Sequence, residues 1–294
     1  MIESKENITY EFFGINPSQF YSGKFSGWAC APDYLIDPKK RFDIEYDRAK
    51  FLVKNISGRR ILDIGCGSAP YGNTIRNNTN AKEIFGVDLD PECVENAKKS
   101  YDFASVFDLN EKLPFEDAYF DCVFSMDVFG HIEFKHKNHL LNEIYRVTKR
   151  GGNSVHGIEC GIIDYRAANP NDPKCAITHY VWQEGHVGIE DAHELHSRWS
   201  QFFSNVNIEN AFIWPLKPFA SIKNMRMPAE LSEILASYSQ EQIDAVQVVL
   251  GFLQGEYRKH IKKNDPGLLL PNEDHPFSKH SGFVYLTAEK FQDG

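Results

Sequence analysis

The sequence predicts an α/β fold: a doubly wound, mostly parallel sheet of seven strands, with an aromatic arm before it and a helical insertion ahead of its last strand. Three observations carry this. Between residues 58 and 160, short apolar runs alternate with polar, helix-compatible stretches, as in βαβ units whose right-handed crossovers place helices on both faces of a sheet. The first run ends in a glycine turn, Gly65-Cys66-Gly67, and the second in an acid, Asp88. Two further strand-like runs, NVNIENAFIW and SGFVYLTAEKF, lie late in the chain and fit an antiparallel edge added to a parallel sheet.

Taken in order, residues 1–57 form an arm or lid and a helix. The stretch YEFFGINPSQFYSGKFSGWACAPDYL is rich in aromatic residues, glycine and proline and has no helical period, whereas RFDIEYDRAKFLVKNI is a charged helix stopped by Gly58. Residues 58–215 are the ligand-binding core. Its strands are RRILDIG, EIFGVDL, FASVFDL, FDCVFSM and GGNSVHGIEC, and its helices include YGNTIRNN, PECVENAKKS and KNHLLNEIYRVTKR. Asp90-Pro91 suits a helix start, because proline fits the first helical position and an acidic cap suits the dipole. Lys149, Arg150 and Gly151-Gly152 suit a helix end. Asp191 and Glu194 have capping-box spacing at the head of DAHELHSRWSQFF. Residues 216–280 form a helical insertion, with Ile243, Val246, Leu250, Leu253 and Tyr257 at three- and four-residue steps, an apolar stripe suited to a lid or a homodimer contact. Residues 281–294 return as the final strand.

Composition narrows the function. Of 294 residues, 42% are hydrophobic and 25% charged, the balance of a globular protein. No apolar run approaches the roughly 18 residues of a membrane span. The first residues lack the basic and apolar segments of a signal peptide. Cys30, Cys66, Cys93, Cys122, Cys160 and Cys175 are dispersed without a CxxC pair, a reduced, cytoplasmic pattern. A net charge of −9 argues against nucleic acid, whose phosphates want a basic face. A small-molecule partner is expected.

The glycine turn and Asp88 together specify a nucleoside ligand, since an acid about 20 residues past such a turn accepts ribose hydroxyls. Charge then separates two cofactors. A dinucleotide places a pyrophosphate over a GxGxxG turn, but here Pro70 stands at the third glycine position and Asp63 precedes the turn. A carboxylate there repels a pyrophosphate and attracts the ammonium and sulfonium of S-adenosylmethionine (SAM). A nicotinamide dehydrogenase is the disfavoured rival.

LDIGCGSAPYG, GVDLDPECVENA, FDLNEKLPFEDAYFDCVFSMDVFGHIE and NEIYRVTKRGG resemble the class I SAM-dependent methyltransferases over residues 58–160. The resemblance implies a Rossmann-like methyltransferase fold with SAM as methyl donor. It implies a methionine-binding turn of Asp63, Gly65 and Gly67, with Cys66 as a small packing residue. It implies ribose contacts from Asp88, adenine packing by Leu89 and Leu109, an adenine-amino contact from Asp108, and Ser125, Met126 and Asp127 facing the donor. Ala69 departs from the family's frequent glycine. GCGxxPY resembles methyltransferases of surface-polysaccharide gene sets, which turns the acceptor expectation toward a sugar or nucleotide-sugar hydroxyl; other metabolites, or a non-catalytic scaffold, are the alternatives.

A hydroxyl acceptor loses a proton, commonly to His, Asp or Glu. Ligands of such folds sit beyond the carboxyl ends of the strands, which points to His131 and Glu159, and His186 lies in a glycine-flanked loop, WQEGHVGIED. These are the three candidate bases. No metal is assigned, although His156, Glu159, His186 and Asp191 are a conceivable ligand set, and His193 and His196 share a helix face. Tyr10, Phe12, Phe13, Tyr21 and Trp28 are candidates to close over the site, and Trp182 and Trp214 to stack on a sugar.

Overall fold

Each apolar run between residues 58 and 160 is a strand: β1 (Arg60–Ile64), β2 (Glu83–Asp88), β3 (Phe103–Val106), β4 (Phe120–Met126) and β5 (Thr148–Cys160). With β6 (Ser204–Asn210) and β7 (Gly282–Glu289) they form one seven-stranded sheet in the order β3-β2-β1-β4-β5-β7-β6. The structure, a computed structural model, describes residues 4–24, 33–36, 44–161, 163–167, 171, 179–211, 239, 241–242 and 282–291. The expected insertion therefore lies almost wholly outside the described residues, as do Trp28, Trp214, Cys30 and Cys175.

β1 to β5 pair in parallel, and β7 runs antiparallel to both β5 and β6. The two late strands thus form the expected antiparallel edge, with β7 inside and β6 closing the sheet. Side chains explain the order. β7 buries Phe283, Val284, Tyr285, Leu286 and Ala288, so it needs cover on both faces. β6 exposes Asn205, Asn207 and Glu209 in alternation with Val206 and Ile208, as a solvated edge strand does.

The helices are α1 (Pro17–Tyr21), α2 (Ile44–Asn55), α3 (Gly72–Asn78), α4 (Pro91–Ala97), α5 (Phe134–Val147) and α6 (Ala192–Trp199). Asp90 caps α4 by accepting from the Glu92 N–H at 3.0 Å, with Pro91 at the first position. Asp191 and Glu194 form the capping box of α6. After α2 the chain turns at Gly58, whose φ is +96° and where a Cβ would stand 2.1 Å from Asp121 Cβ.

One helix end differs from expectation. α5 stops at Val147, and Lys149, Arg150 and the two glycines already belong to β5. The Thr148 hydroxyl donates to the Ile144 carbonyl at 2.6 Å, and Lys149 pairs with Asp121 of β4 at 2.6 Å. A Cβ on Gly152 would meet the Asp121 carbonyl at 2.7 Å. These residues let two strands approach across an irregular register.

Two cores flank the sheet. On one face Leu62, Ile64, Val87 and Val123 pack with Leu140, Leu141 and Ile144 of α5 and with Trp199 of α6. On the other Ile61, Ile84, Cys122 and Phe124 pack with Phe51, Leu52, Ile75 and Val94 of α2, α3 and α4. Strand alternation delivers the two sets to opposite faces. A third cluster joins Ile8, Tyr10 and Phe13 of the arm to Phe134, Tyr165, Val181 and Val187. Burial of about 1.5–3 kcal/mol for each large side chain holds the arm over the carboxyl ends of the strands.

Candidate active site

The turn after β1 is shaped by positive φ angles at Gly65 (+66°), Gly67 (+50°) and Ala69 (+56°). Gly65 has a second constraint, since a Cβ there would stand 2.5 Å from Val128 Cγ2. Ala69 occupies a left-handed conformation that glycine adopts without cost. Asp88 ties the turn to β2: its carboxylate accepts from the Gly67 N–H at 2.8 Å and from the Asp90 N–H at 2.9 Å. Asp63 accepts from the Tyr101 hydroxyl at 2.7 Å. Burial raises the pKa of Asp63 well above the carboxylate range, opposed by Tyr101 and reinforced by the charge of Asp88. Burial likewise raises Asp88, against its backbone N–H bonds. Two acids whose ionisation is disfavoured by burial and by neighbouring carboxylates, Asp88 beside Asp63 and Asp90 beside Asp88, gain most from a cationic ligand.

These groups border a cavity of about 270 Å³ at the carboxyl ends of β1, β2 and β4. Asp63, Gly65, Cys66, Gly67, Asp88, Leu89, Asp108, Leu109 and Met126 all line it. Asp108 is exposed and its carboxylate accepts from the Asn110 N–H at 2.9 Å. Cys66 is buried. Ser125 is the exception to the donor-facing set. It has no exposed surface and its hydroxyl lies 2.7 Å from His156 Nδ1. Strand alternation turns it into the sheet packing while Met126, the next residue, takes the cavity wall.

The three candidate bases converge. His131 lies on a short turn after β4, Glu159 near the end of β5, and His186 in the segment before α6. Glu159 Oε1 is 3.4 Å from His186 Nε2 and 3.9 Å from His131 Nε2. The two imidazoles stack with centroids 4.4 Å apart, and Tyr180 stacks on the other face of His186 at 4.1 Å. His131 lines the cavity. Burial and the neighbouring His186 lower its pKa to about 4, against Glu159, so it is neutral near pH 7. Burial opposes protonation of His186, but hydrogen bonding and charge from Glu159 and Glu184 outweigh it and raise the pKa to about 9. Glu159 is held below the carboxylate range: His186 and His131 overcome the opposing effect of burial.

The other conceivable metal ligands do not join this cluster. His156 is fully buried between the hydroxyls of Ser125 and Ser154, at 2.7 and 2.8 Å, against Phe129 and Trp199. Asp191 caps α6. His193 is exposed on α6.

From the arm, Tyr10, Pro17 and Tyr21 line the cavity. The Tyr10 hydroxyl lies 2.8 Å from the His131 carbonyl, 2.9 Å from that of Gly185 and 2.6 Å from the Tyr21 hydroxyl. Tyr21 in turn lies 3.0 Å from His131 Nδ1. Phe13 is buried, whereas Phe12 is exposed. Trp182 is engaged with the arm: its indole N–H donates to the Phe13 carbonyl at 3.1 Å.

The sequence reading missed a charged wall. Arg48 of α2 is buried and forks onto Asp127, with both contacts at 2.7 Å. Its neighbour Glu45 accepts from Tyr71. All four line the cavity. A signal existed: Glu45 and Arg48 fall on the stripe of α2 that also carries buried Ala49 and Leu52, and charge on an apolar stripe marks a lined site or a buried pair.

Comparison with known proteins agrees with the fold. Residues 62–155 match the protein family described as a methyltransferase domain. A tRNA U34 carboxymethyltransferase of Shewanella baltica is 33% identical over 118 residues, covering 36% of this chain and 35% of that protein. The O-methyltransferase resE of Aspergillus sclerotiorum is 29% identical over 129 residues, covering 40% and 46%. The chain thus spans between about a third and a half of the length of these relatives. Geranyl diphosphate C-methyltransferase from Streptomyces coelicolor A3(2), solved with magnesium, geranyl diphosphate and S-adenosylhomocysteine, has a TM-score of 0.54 at 11% identity, with 97% of this chain and 98% of that one covered. Phosphoethanolamine N-methyltransferase 2 of Haemonchus contortus, solved with SAM, has a TM-score of 0.51 at 20% identity, with 88% and 60% covered. At these identities the structural likeness is one of fold. Residues 62–155, which lie within the Rossmann-like sheet, are thus similar to a methyltransferase domain. No helix among the described residues is long and apolar enough to cross a membrane.

Proposed function

We propose that this protein transfers the methyl group of SAM to a hydroxyl of a small polar acceptor, a sugar or nucleotide sugar of polysaccharide biosynthesis. One observation carries the reading: a single cavity is bordered by the acidic glycine turn and by His131, which Glu159 and His186 back. Asp63 takes the methionyl ammonium and Asp88 the ribose hydroxyls, using carboxylate lone pairs left over after the turn is tied. Leu89, Leu109 and Met126 supply apolar contact to adenine, and Asp108 its amino partner.

The reaction is an in-line displacement. The acceptor oxygen attacks the methyl carbon, the S–C bond breaks with its electron pair on sulfur, and the hydroxyl proton leaves by way of the His131–Glu159–His186 cluster. Holding oxygen, carbon and sulfur in line removes entropy from the barrier, and the arm over the cavity excludes water. Residues 1–57 act as lid and helix, 58–215 with the final strand 281–294 as the SAM-binding core, and 216–280 as a lid or dimer contact.

The test is transfer of a labelled methyl group from SAM to a panel of nucleotide sugars. Label in at least one of them is expected. Label only in acceptors without a sugar hydroxyl would overturn the acceptor class, and SAM binding without transfer to any acceptor would leave a non-catalytic binding protein.

A further inference from the structure

We propose that His131, Glu159 and His186 form a binding site for one divalent first-row transition-metal ion at the margin of the cavity. The sequence reading assigned no metal, and the ligand set it weighed had two different members. Spacing is the first argument. Around a tetrahedral ion with bonds of about 2.1 Å, neighbouring ligand atoms lie about 3.4 Å apart. Glu159 Oε1 stands 3.4 Å from His186 Nε2 and 3.9 Å from His131 Nε2, and the three ligand atoms all lie within 4.8 Å of one another. Charge-assisted hydrogen bonds are shorter, about 2.7–2.9 Å. The Glu159–His186 separation is at the long limit of a hydrogen bond and the Glu159–His131 separation lies beyond it, and both suit ligands that share an ion.

The outer partners are those of metal-bound histidines, whose second nitrogen faces a carbonyl or carboxylate. His131 Nδ1 lies 3.2 Å from the Gly185 carbonyl. Nδ1 also lies 3.0 Å from the Tyr21 hydroxyl; in the tautomer that donates from Nδ1 to the Gly185 carbonyl, the Nε2 lone pair is free for an ion. His186 Nδ1 lies 3.3 Å from the Glu184 carboxylate, an ion-pair distance without hydrogen-bond geometry, and a metal ion at Nε2 would displace the second proton of this ring. Glu159 supplies an independent sign. It is 7% exposed, and its Oε2 is buried without a hydrogen-bond partner. Gly130 makes room for the cluster, since a Cβ there would stand 2.9 Å from Glu159 Oε2 and 3.0 Å from His186 Cδ2.

Two imidazoles and one carboxylate suit Mn²⁺, Fe²⁺, Co²⁺ or Zn²⁺ rather than Mg²⁺ or Ca²⁺, which prefer all-oxygen sets. The ion's use in catalysis rests on the methyl-transfer reading: a free coordination position takes the acceptor oxygen and acidifies it. With the ion bound, the three side chains would act as its ligands and not as the proton acceptors of the metal-free route above. The hydroxyl proton would pass to solvent, and the acceptor oxygen would attack the methyl carbon with sulfur as the leaving group.

The test is titration of chelator-stripped full-length protein with CoCl₂ alone, followed by visible d–d absorption and calorimetry. One equivalent of Co²⁺ per chain is expected, with affinity at least tenfold weaker in Glu159→Gln and His131→Asn and unchanged in the surface control His139→Ala. No saturable binding to wild type, or equal binding by both variants, overturns the site. Circular dichroism checks that the variants fold. Should neither fold, pulsed EPR of Cu²⁺ bound to wild type counts ligating imidazoles: two support the site, and one or none overturns it. Neither SAM nor acceptor is present, so loss of the metal site leaves methyl transfer standing, and failure of S-adenosylhomocysteine binding leaves the metal site standing.

Discussion

The proposed donor and acceptor sides of the cavity are built in different ways. The donor side comes from the ends of adjacent strands β1 and β2: Asp63, Gly65, Gly67 and Asp88 are fixed by backbone geometry and by one carboxylate that accepts two N–H groups. The acceptor side is made of side chains. His131, Glu159 and His186 arrive from three separate segments and are held by ring stacking and by the arm. A backbone-built site is written into a short stretch of sequence, whereas a side-chain cluster is specified only by long-range packing.

The largest effect that tests this division is expected at Glu159. Replacing it with Gln should lower turnover about 100-fold or more, the scale of lost proton or metal assistance, while S-adenosylhomocysteine affinity changes less than threefold. Steady-state kinetics and calorimetry on one preparation check both. An equal loss of donor affinity would merge the two sides.

His156 sharpens the contrast, because it stands three residues before Glu159 on the same strand yet belongs to the core. Burial lowers its pKa to about 3, below the unfolded value near 6.5. As pH falls below 6.5 the unfolded chain takes up this proton and the folded chain does not. The stability contribution is therefore complete above pH 6.5 and lost on acidification toward pH 3. Between pH 6.5 and 5 the loss is about 2 kcal/mol. Urea unfolding should show that part of the slope disappearing in His156→Gln, with an unchanged slope contradicting the assignment.

At the arm, Tyr10→Phe removes the hydroxyl that lies against the carbonyls of His131 and Gly185. A loss of about 1.4 kcal/mol, within the range for a buried hydrogen bond, speeds local opening about tenfold. Hydrogen exchange should quicken in residues 4–24 and stay constant in β1 and β4. The smallest effect belongs to the donor turn: Ala69→Gly relieves a positive φ and should stabilise by about 0.5 kcal/mol, a shift of a degree or two in thermal unfolding.

The same division explains what was legible. β1 to β5, the caps at Asp90 and Asp191, and the turn with Asp88 follow from local rules, because alternation, capping and glycine conformations act over a few residues. His131 and Glu159 are pointed to singly by topology, and His186 by its glycine-flanked loop. Their meeting depends on how the segment around His186 folds back onto β4 and β5, which no short pattern encodes. Ser125 was misplaced by one step of strand alternation, while the order of β7 inside and β6 outside follows from the both-sided burial of Phe283 to Leu286. The Arg48–Asp127 fork joins α2 to the end of β4 and had only a charge on an apolar stripe to announce it.

The central claim is that the acidic glycine turn is a SAM site. Calorimetric titration with S-adenosylhomocysteine tests it most directly, with NADH as control and Asp88→Ala as variant. Micromolar binding is predicted for wild type, strengthening as pH rises through the elevated carboxylate pKa values of Asp63 and Asp88. It should weaken about 100-fold or more in the variant, as loss of two hydrogen bonds to a charged group implies, with no heat from NADH. Absence of binding by folded wild type, or undiminished binding by Asp88→Ala, would contradict the account.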